Sequence, residues 1–284
     1  MIYISSACVK HKKIKDSVQD LVDNGFKNIE LSGGTEYYEG FDNDLLELKD
    51  KYNLNYVCHN YFPPPQEHLV LNLASLNDDI YQKTFEHLKK AIVLSERLGG
   101  KKFGFHAGFF LDIKVSEIGK KISKNNLFDK KEAFNRFCKG FKSLQQFSNN
   151  VELYIENNVF SSTNAKTYKH ENIFMLTNYI EYKNLKNKID FNLLLDVAHL
   201  KVSSKTLGLN FEQELIGMIN DSNYIHISDN DALHDLNNCL RNDSSLVELL
   251  KDQELKNKDF TLEIYDGMKS IKDTHSILQD ILND

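Results

Sequence analysis

Two stretches decide the fold: Leu193-Leu194-Leu195-Asp196 and Tyr224-Ile225-His226-Ile227. Both are short, nearly continuous apolar runs that carry a single titratable residue. Such runs suit parallel strands covered on both faces better than antiparallel strands with one wet face. Working outward, comparable β-rich runs recur at residues 2–6, 28–32, 55–59, 102–106, 152–156 and 260–263, so eight strands are expected. Between them lie stretches of helical period at 14–23, 44–52, 78–98, 131–147, 173–180, 211–219, 244–251 and 270–282. The clearest places Ile80, Phe85, Leu88, Ile92, Leu94 and Leu98 near one face and stops at Gly99-Gly100, as a helix with a glycine cap does. Eight strand–helix units predict an α/β protein: a (β/α)8 TIM barrel formed by a single domain over residues 1–284. An open doubly wound sheet would need a Gly-x-Gly-x-x-Gly turn after the first strand. Ser5-Ser6-Ala7-Cys8 stands there instead.

Composition narrows the class of partner. With 35 Lys+Arg against 41 Asp+Glu the net charge is −6, and the only arginines are Arg97, Arg136 and Arg241. Few guanidinium forks are therefore present to grip phosphates, which argues against a nucleic-acid binder. Cys8, Cys58, Cys138 and Cys239 are dispersed and form no Cys-x-x-Cys pair, so neither a disulfide framework nor a thiolate zinc site is expected. No apolar run is long enough for a membrane helix, and residues 1–6 are too short for a signal-peptide core. A cytoplasmic location is expected.

In a (β/α)8 barrel the C-terminal ends of all strands meet on one face, where catalytic groups collect. From the third expected strand onward those ends carry His59, His106, Glu156, Asp196 with His199, His226 and Glu263. One carboxylate at a strand end reads equally well as a helix N-cap. Repetition over six strands reads as a site. Glu156, Asp196, His226 and Glu263 supply three carboxylates and one imidazole, an oxygen and nitrogen set suited to Mn²⁺, Zn²⁺, Co²⁺ or Mg²⁺. Three anions in a low-dielectric mouth raise one another's pKa, and a divalent metal ion relieves that.

Asp196-Val-Ala-His199 resembles the Asp-x-x-His after the sixth strand of the xylose isomerase-like barrels. His226-Ile-Ser-Asp229 resembles their His-x-x-Asp after the seventh, and Glu156 and Glu263 fall where two strand-end glutamates are expected. The likeness spans nearly the whole chain. That group includes sugar isomerases, ketose 3-epimerases, inosose dehydratases and endonuclease IV. The resemblance implies a metal-dependent isomerase or epimerase acting on a sugar or sugar phosphate. Its metal would be held by Glu156, Asp196, His226 and Glu263, with Glu156 and Glu263 as the catalytic acid–base pair that moves a proton through an enediolate. His199 is expected to hydrogen-bond substrate oxygens. His59 and His106 either bind substrate along the sugar pocket or, with Asp235, hold a second metal. Glu30 either binds sugar hydroxyls or caps a helix, and Gly33-Gly34 would let backbone amides approach a ligand. Phe62 and the loop 63–65 are expected to wall the pocket, and Lys201 and Arg241 either anchor a substrate phosphate or stay solvated.

One motif departs from the pattern. The Asp-x-His that completes the zinc cluster of endonuclease IV falls on Asp235-Leu236-Asn237, where asparagine replaces the histidine. The resemblance therefore favours an isomerase or epimerase over a zinc phosphodiesterase acting on abasic DNA. A keto-sugar or inosose dehydratase starts with the same proton abstraction and stays an alternative. A protein that only binds sugar would not need both glutamates. The expected partner is a small sugar or sugar phosphate, with no nucleic acid or membrane, and self-association follows by analogy with the group.

Overall fold

The computed structural model describes residues 1–148 and 150–283. Its strands are β1 (Ile2–Ser5), β2 (Asn28–Leu31), β3 (Asn55–His59), β4 (Lys102–His106), β5 (Glu152–Glu156), β6 (Asn192–Asp196), β7 (Tyr224–Ile227) and β8 (Asp259–Leu262). They form one closed barrel in sequence order, and the pairing of Ile2 with Phe260 closes β1 onto β8 in parallel. The helices are α1 (Ile14–Asp23), α2 (Phe41–Tyr52), α3 (Asp78–Arg97), α4 (Lys130–Gln145), α5 (Ser162–Thr167), α6 (Tyr179–Lys186), α7 (Val197–Leu207), α8 (Phe211–Ile219), α9 (Ser245–Lys251) and α10 (Met268–Asn283). No helix among the described residues is long and apolar enough to cross a membrane.

Alternation along each strand splits the core in two. Tyr3, Val57, Tyr154, Leu194 and Tyr224 meet inside the barrel. Their neighbours Ile4, Phe103, Ile155, Leu195 and Ile225 face outward into the layer between strands and helices. Both faces are thus dry, which accounts for the near-continuous apolar runs. Register then sets the height of the polar groups: His106 pairs with Glu156 across β4 and β5, and Asp196 with His226 across β6 and β7.

The helical reading of residues 173–180 is corrected. Phe174 bridges to Phe109 in a loop, and α6 starts only at Tyr179, after the N-cap Asn178. Ile173, Phe174 and Met175 are buried under the loops that follow β4 and β5, so their apolar spacing reflects loop packing rather than a helix face. Two helices escaped the sequence reading. One is the short α5, and the other is α7, which starts directly at the end of β6 with Asp196 as its N-cap and ends at Gly208 with φ 70°.

Gly104 in β4 has no room for a side chain: a Cβ there would lie 2.7 Å from Leu194 Cδ2 and 3.1 Å from His59 Cδ2. Gly104→Ala is expected to cost about 1–3 kcal/mol by overpacking the barrel interior. A denaturation midpoint equal to that of the wild type would show that this contact does not constrain the barrel.

Candidate metal centre at the barrel mouth

The C-terminal face opens into a cavity of about 1290 Å³ whose lining includes His59, His106, Glu156, His199, Asp235 and Glu263. Asp196 and His226 lie at its floor, 1% and 0% exposed. Of the four expected ligands, two therefore face the cavity and two support it from below.

His226 is fixed from behind. Its Nε2–H donates to Glu30 Oε2 at 2.9 Å, and the same carboxylate accepts from Ser32 Oγ at 2.9 Å, Thr261 Oγ1 at 3.0 Å and the Tyr224 hydroxyl. With the ring held so, Nδ1 points at the carboxylates: 3.6 Å from Glu156 Oε1, 3.8 Å from Glu263 Oε2 and 4.0 Å from Asp196 Oδ2. A carboxylate behind a ligating histidine fixes the ring and raises its basicity.

Asp196 divides its two oxygens. Oδ1 accepts from His199 N at 2.7 Å and caps α7, while Oδ2 faces His226 and His199. The N-cap reading of a strand-end carboxylate is thus realised in Asp196, with its second oxygen turned to the histidines. Asn157 holds this strand end by extending the sheet ladder with its amide: Nδ2 donates to Asp196 O at 2.9 Å, and Asp196 N donates to Oδ1 at 2.8 Å.

Glu156 is the hub. His59 Nε2 lies 2.7 Å and His106 Nδ1 3.1 Å from its Oε2, and His199 Nδ1 lies 3.5 Å from its Oε1. The His199 ring itself runs from Asn157 O, 2.9 Å from Nδ1, to Asp235 Oδ2, 3.3 Å from Nε2.

Electrostatics separates the four carboxylates. Burial pushes Glu263 up to about 7 against the pull of His226 and His59. Burial, with Glu156 and Asp235 nearby, raises Asp196 to about 6. Burial acts on Glu30 and Glu156 too, but neighbouring imidazoles outweigh it. His226 and His59 bring Glu30 to about 2, and His106 and His59 hold Glu156 well below the carboxylate range. In return, and against burial, Glu30 and Glu263 raise His226 far above an ordinary imidazole, Asp196 and Asp235 do the same for His199, and Glu156 raises His59. His106 goes the other way, down to about 4 by burial.

The residues fit a divalent cation. Asp196, His226 and Glu263 bring donor atoms within 4.8 Å of one another, as do His59, Glu156 and His226, and His106, Glu156 and His199. Glu156 Oε1 and His226 Nδ1 are buried without a hydrogen-bond partner, which costs free energy unless a ligand supplies one.

Several expected roles change. Glu30 is fully buried behind His226, so it binds no sugar hydroxyl in this arrangement and caps no helix. Asp235 faces His199 rather than joining His59 and His106, so that expected second-metal trio is not assembled. Phe62 is 0% exposed and stacks edge-on against Phe41, leaving Tyr61 and Pro65 to wall the cavity. Lys201 is drawn to Asp229 and Asn230 O, and Arg241 pairs with Asp243 at the surface; neither lines the cavity. Sequence reasoning missed the supporting roles of Glu30, Tyr224, Thr261 and Asn157. The available signal was an acid inside the apolar run Asn28-Ile29-Glu30-Leu31, and Tyr224 two residues before His226 on the same strand face.

A family model described as xylose isomerase-like TIM barrel matches residues 18–280. No curated protein sequence matches the chain. Among solved structures, a D-tagatose 3-epimerase-like protein superposes with TM-score 0.73 at 15% identity, covering 99% of this chain and 97% of that one. An L-ribulose 3-epimerase gives 0.64 at 14%, covering 97% and 86%. Endonuclease IV from Thermus thermophilus gives 0.62 at 14%, covering 98% and 99%. At such identities these structures are similar in fold.

Glu30→Gln is expected to weaken divalent-metal affinity about 10–100-fold with the fold intact. His226→Ala should cost more than His59→Ala. Calorimetric titration checks both statements, and equal losses for the two histidine variants would refute the assignment of His226 as a ligand.

Proposed function

Because the chain belongs to the xylose isomerase-like TIM barrels, we propose that it is a divalent-metal-dependent isomerase or epimerase acting on a small sugar or sugar phosphate in the cytoplasm. The observation that carries this reading is the pair of buried, unpartnered atoms Glu156 Oε1 and His226 Nδ1, within a cluster that also contains Asp196 and Glu263. A divalent ion held by Glu156, Asp196, His226 and Glu263 supplies a Lewis acid that acidifies a C–H bond next to the substrate carbonyl.

Glu263 removes that proton. It lines the cavity, open to a bound substrate as a positioned general base must be. The returning proton comes from the Glu156 side, where His59 Nε2 lies 2.7 Å from its Oε2 and the carboxylate raises that imidazole. Return to the same carbon from the opposite face gives epimerisation; return to the neighbouring carbon gives isomerisation. His199, tied through Nδ1 to Asn157 O, turns Nε2 toward Asp235 on the cavity wall, where a substrate oxygen would compete with that carboxylate for it.

A second reading, phosphodiester hydrolysis of the endonuclease IV kind, is favoured by one observation: Glu156 joins two donor groups at once, with His59 and His226 and with His106 and His199. Elemental analysis separates the two readings. Three tightly held zinc ions per chain would support hydrolysis, and one divalent ion supports proton transfer.

Incubated in D₂O with a panel of ketoses, aldoses and their phosphates, the metal-loaded protein is expected to place deuterium on carbon beside the carbonyl of its substrate, read by NMR. Glu263→Gln should slow that exchange about 10²- to 10⁴-fold, the usual worth of a positioned base. An unchanged exchange rate in this variant would sink the proposed role.

A further inference from the structure

We propose that the outer part of the cavity is a subsite for a phosphoryl group carried by the substrate, built from Lys10, Lys12, Thr35, Lys120 and Lys121. It rests on the reading above, in which the reacting sugar sits over Glu156 and Glu263, and it names what the rest of the cavity holds.

Size is the first consideration. A cavity of about 1290 Å³ exceeds the roughly 300–1,000 Å³ of ordinary small-molecule pockets. One sugar ring over the floor leaves most of it unfilled. Charge is the second. Lys10 and Lys12 follow β1, Lys120 and Lys121 lie between β4 and α4, and all four line the cavity. Among the described residues only Lys12 of these has an ion-pair partner, Glu36 at 3.3 Å, with side chains 83% and 64% exposed. Pairs so exposed contribute little and yield readily to a competing anion. Glu117, the other acid on this wall, is occupied by Ser123 Oγ and by the backbone N–H groups of Lys114 and Ser123. In a chain of net charge −6 this cationic wall is a local reversal, and local fields steer charged ligands.

Thr35 supplies an observation independent of charge. It lines the cavity, is 6% exposed, and its Oγ1 has no hydrogen-bond partner. The loop before it brings backbone close to that space: Gly34 has φ +102° with nothing within 4 Å of where a Cβ would stand, while a Cβ on Gly33 would lie 2.8 Å from Tyr61 Cβ. A hydroxyl donor on the same cavity wall as several ammonium groups matches a tetrahedral oxyanion, whose oxygens accept charge-assisted hydrogen bonds.

The test uses the full chain freed of metal by chelation, so that phosphate cannot bind through an ion. Binding of inorganic phosphate is measured by calorimetry at constant ionic strength for the wild type, Lys10→Ala/Lys12→Ala, Lys120→Ala/Lys121→Ala, Thr35→Val and Thr35→Ser. Each lysine pair and Thr35→Val should weaken binding about tenfold, with Thr35→Ser close to wild type, as loss of hydrogen bonds to a charged group predicts. Equal binding by all five proteins, or none by the wild type, would overturn the subsite. Fructose 6-phosphate and UDP-glucose then identify the source of the phosphoryl group. Tighter binding of the first supports a terminal ester, and tighter binding of the second supports a nucleotide handle. Stronger binding of glucuronate, or of abasic duplex DNA, than of either would overturn the phosphoryl-sugar assignment. Metal titration of the same proteins is a separate readout: failure to bind an ion would remove the proton-transfer reading while leaving the phosphate result standing.

Discussion

The hydrogen bond from His226 to Glu30 is the constraint on which the site depends. Both side chains are fully buried, and an isolated carboxylate at that depth would cost several kcal/mol. Ser32, Thr261 and Tyr224 meet the remaining demand of Glu30, so its charge is kept and the ring of His226 cannot turn. The orientation of Nδ1 follows, and with it the point where Glu156, Asp196 and Glu263 converge. Against burial, Glu30 first and then Glu263 and Glu156 pull protons onto His226. A divalent cation held by Glu156, Asp196, His226 and Glu263 would supply the positive charge that such a proton supplies, which is why the cluster suits an ion.

Closure of the barrel transmits this constraint to the rest of the chain. Parallel register puts His106 beside Glu156 and Asp196 beside His226, so a shift of one residue would turn each donor to the helix side of the sheet. Asp196 couples the site to the next element as well, since the carboxylate that faces His226 through one oxygen starts α7 with the other. Asn157 sews β5 to β6 at the same level. The groups that end the strands are the groups that form the cluster, so strand register and the arrangement of the cluster are set together.

What could be read from the sequence follows from this economy. Every strand lies within a residue or two of its expected place, because apolar runs covered on both faces leave a strong signal. His59, His106, Glu156, Asp196, His199, His226 and Glu263 do meet, because barrel closure alone brings strand ends together. Glu30 was harder to read: as the last acid of an apolar run it looked like the other strand ends, and only the barrel's interior shows that it points behind His226. Asp235 sits on a long loop whose path sequence spacing cannot supply. Residues 173–178 carry the apolar spacing of a helix but direct it to Phe109 and Phe160, a tertiary demand that no local pattern reveals. Lys201 and Arg241 take the non-ligand reading for a simpler reason: a lone basic residue is more often answered by a nearby acid, here Asp229 and Asp243, than by a ligand.

The two glutamates expected to act as a pair do not share an environment, and that asymmetry bears on mechanism. Glu156 lies between imidazoles that outweigh its burial and stabilise its charge, whereas burial, with Glu30 and Glu156 nearby, holds Glu263 near 7 against the pull of His226 and His59. Two carboxylates whose surroundings push their pKa values apart are the means by which one site runs acid and base chemistry at a single pH. Had both been equally bare, their mutual repulsion would protonate one and weaken its hold on a cation. The histidines of β3 and β4 therefore do more than line a pocket: they keep Glu156 charged and so set its environment apart from that of Glu263.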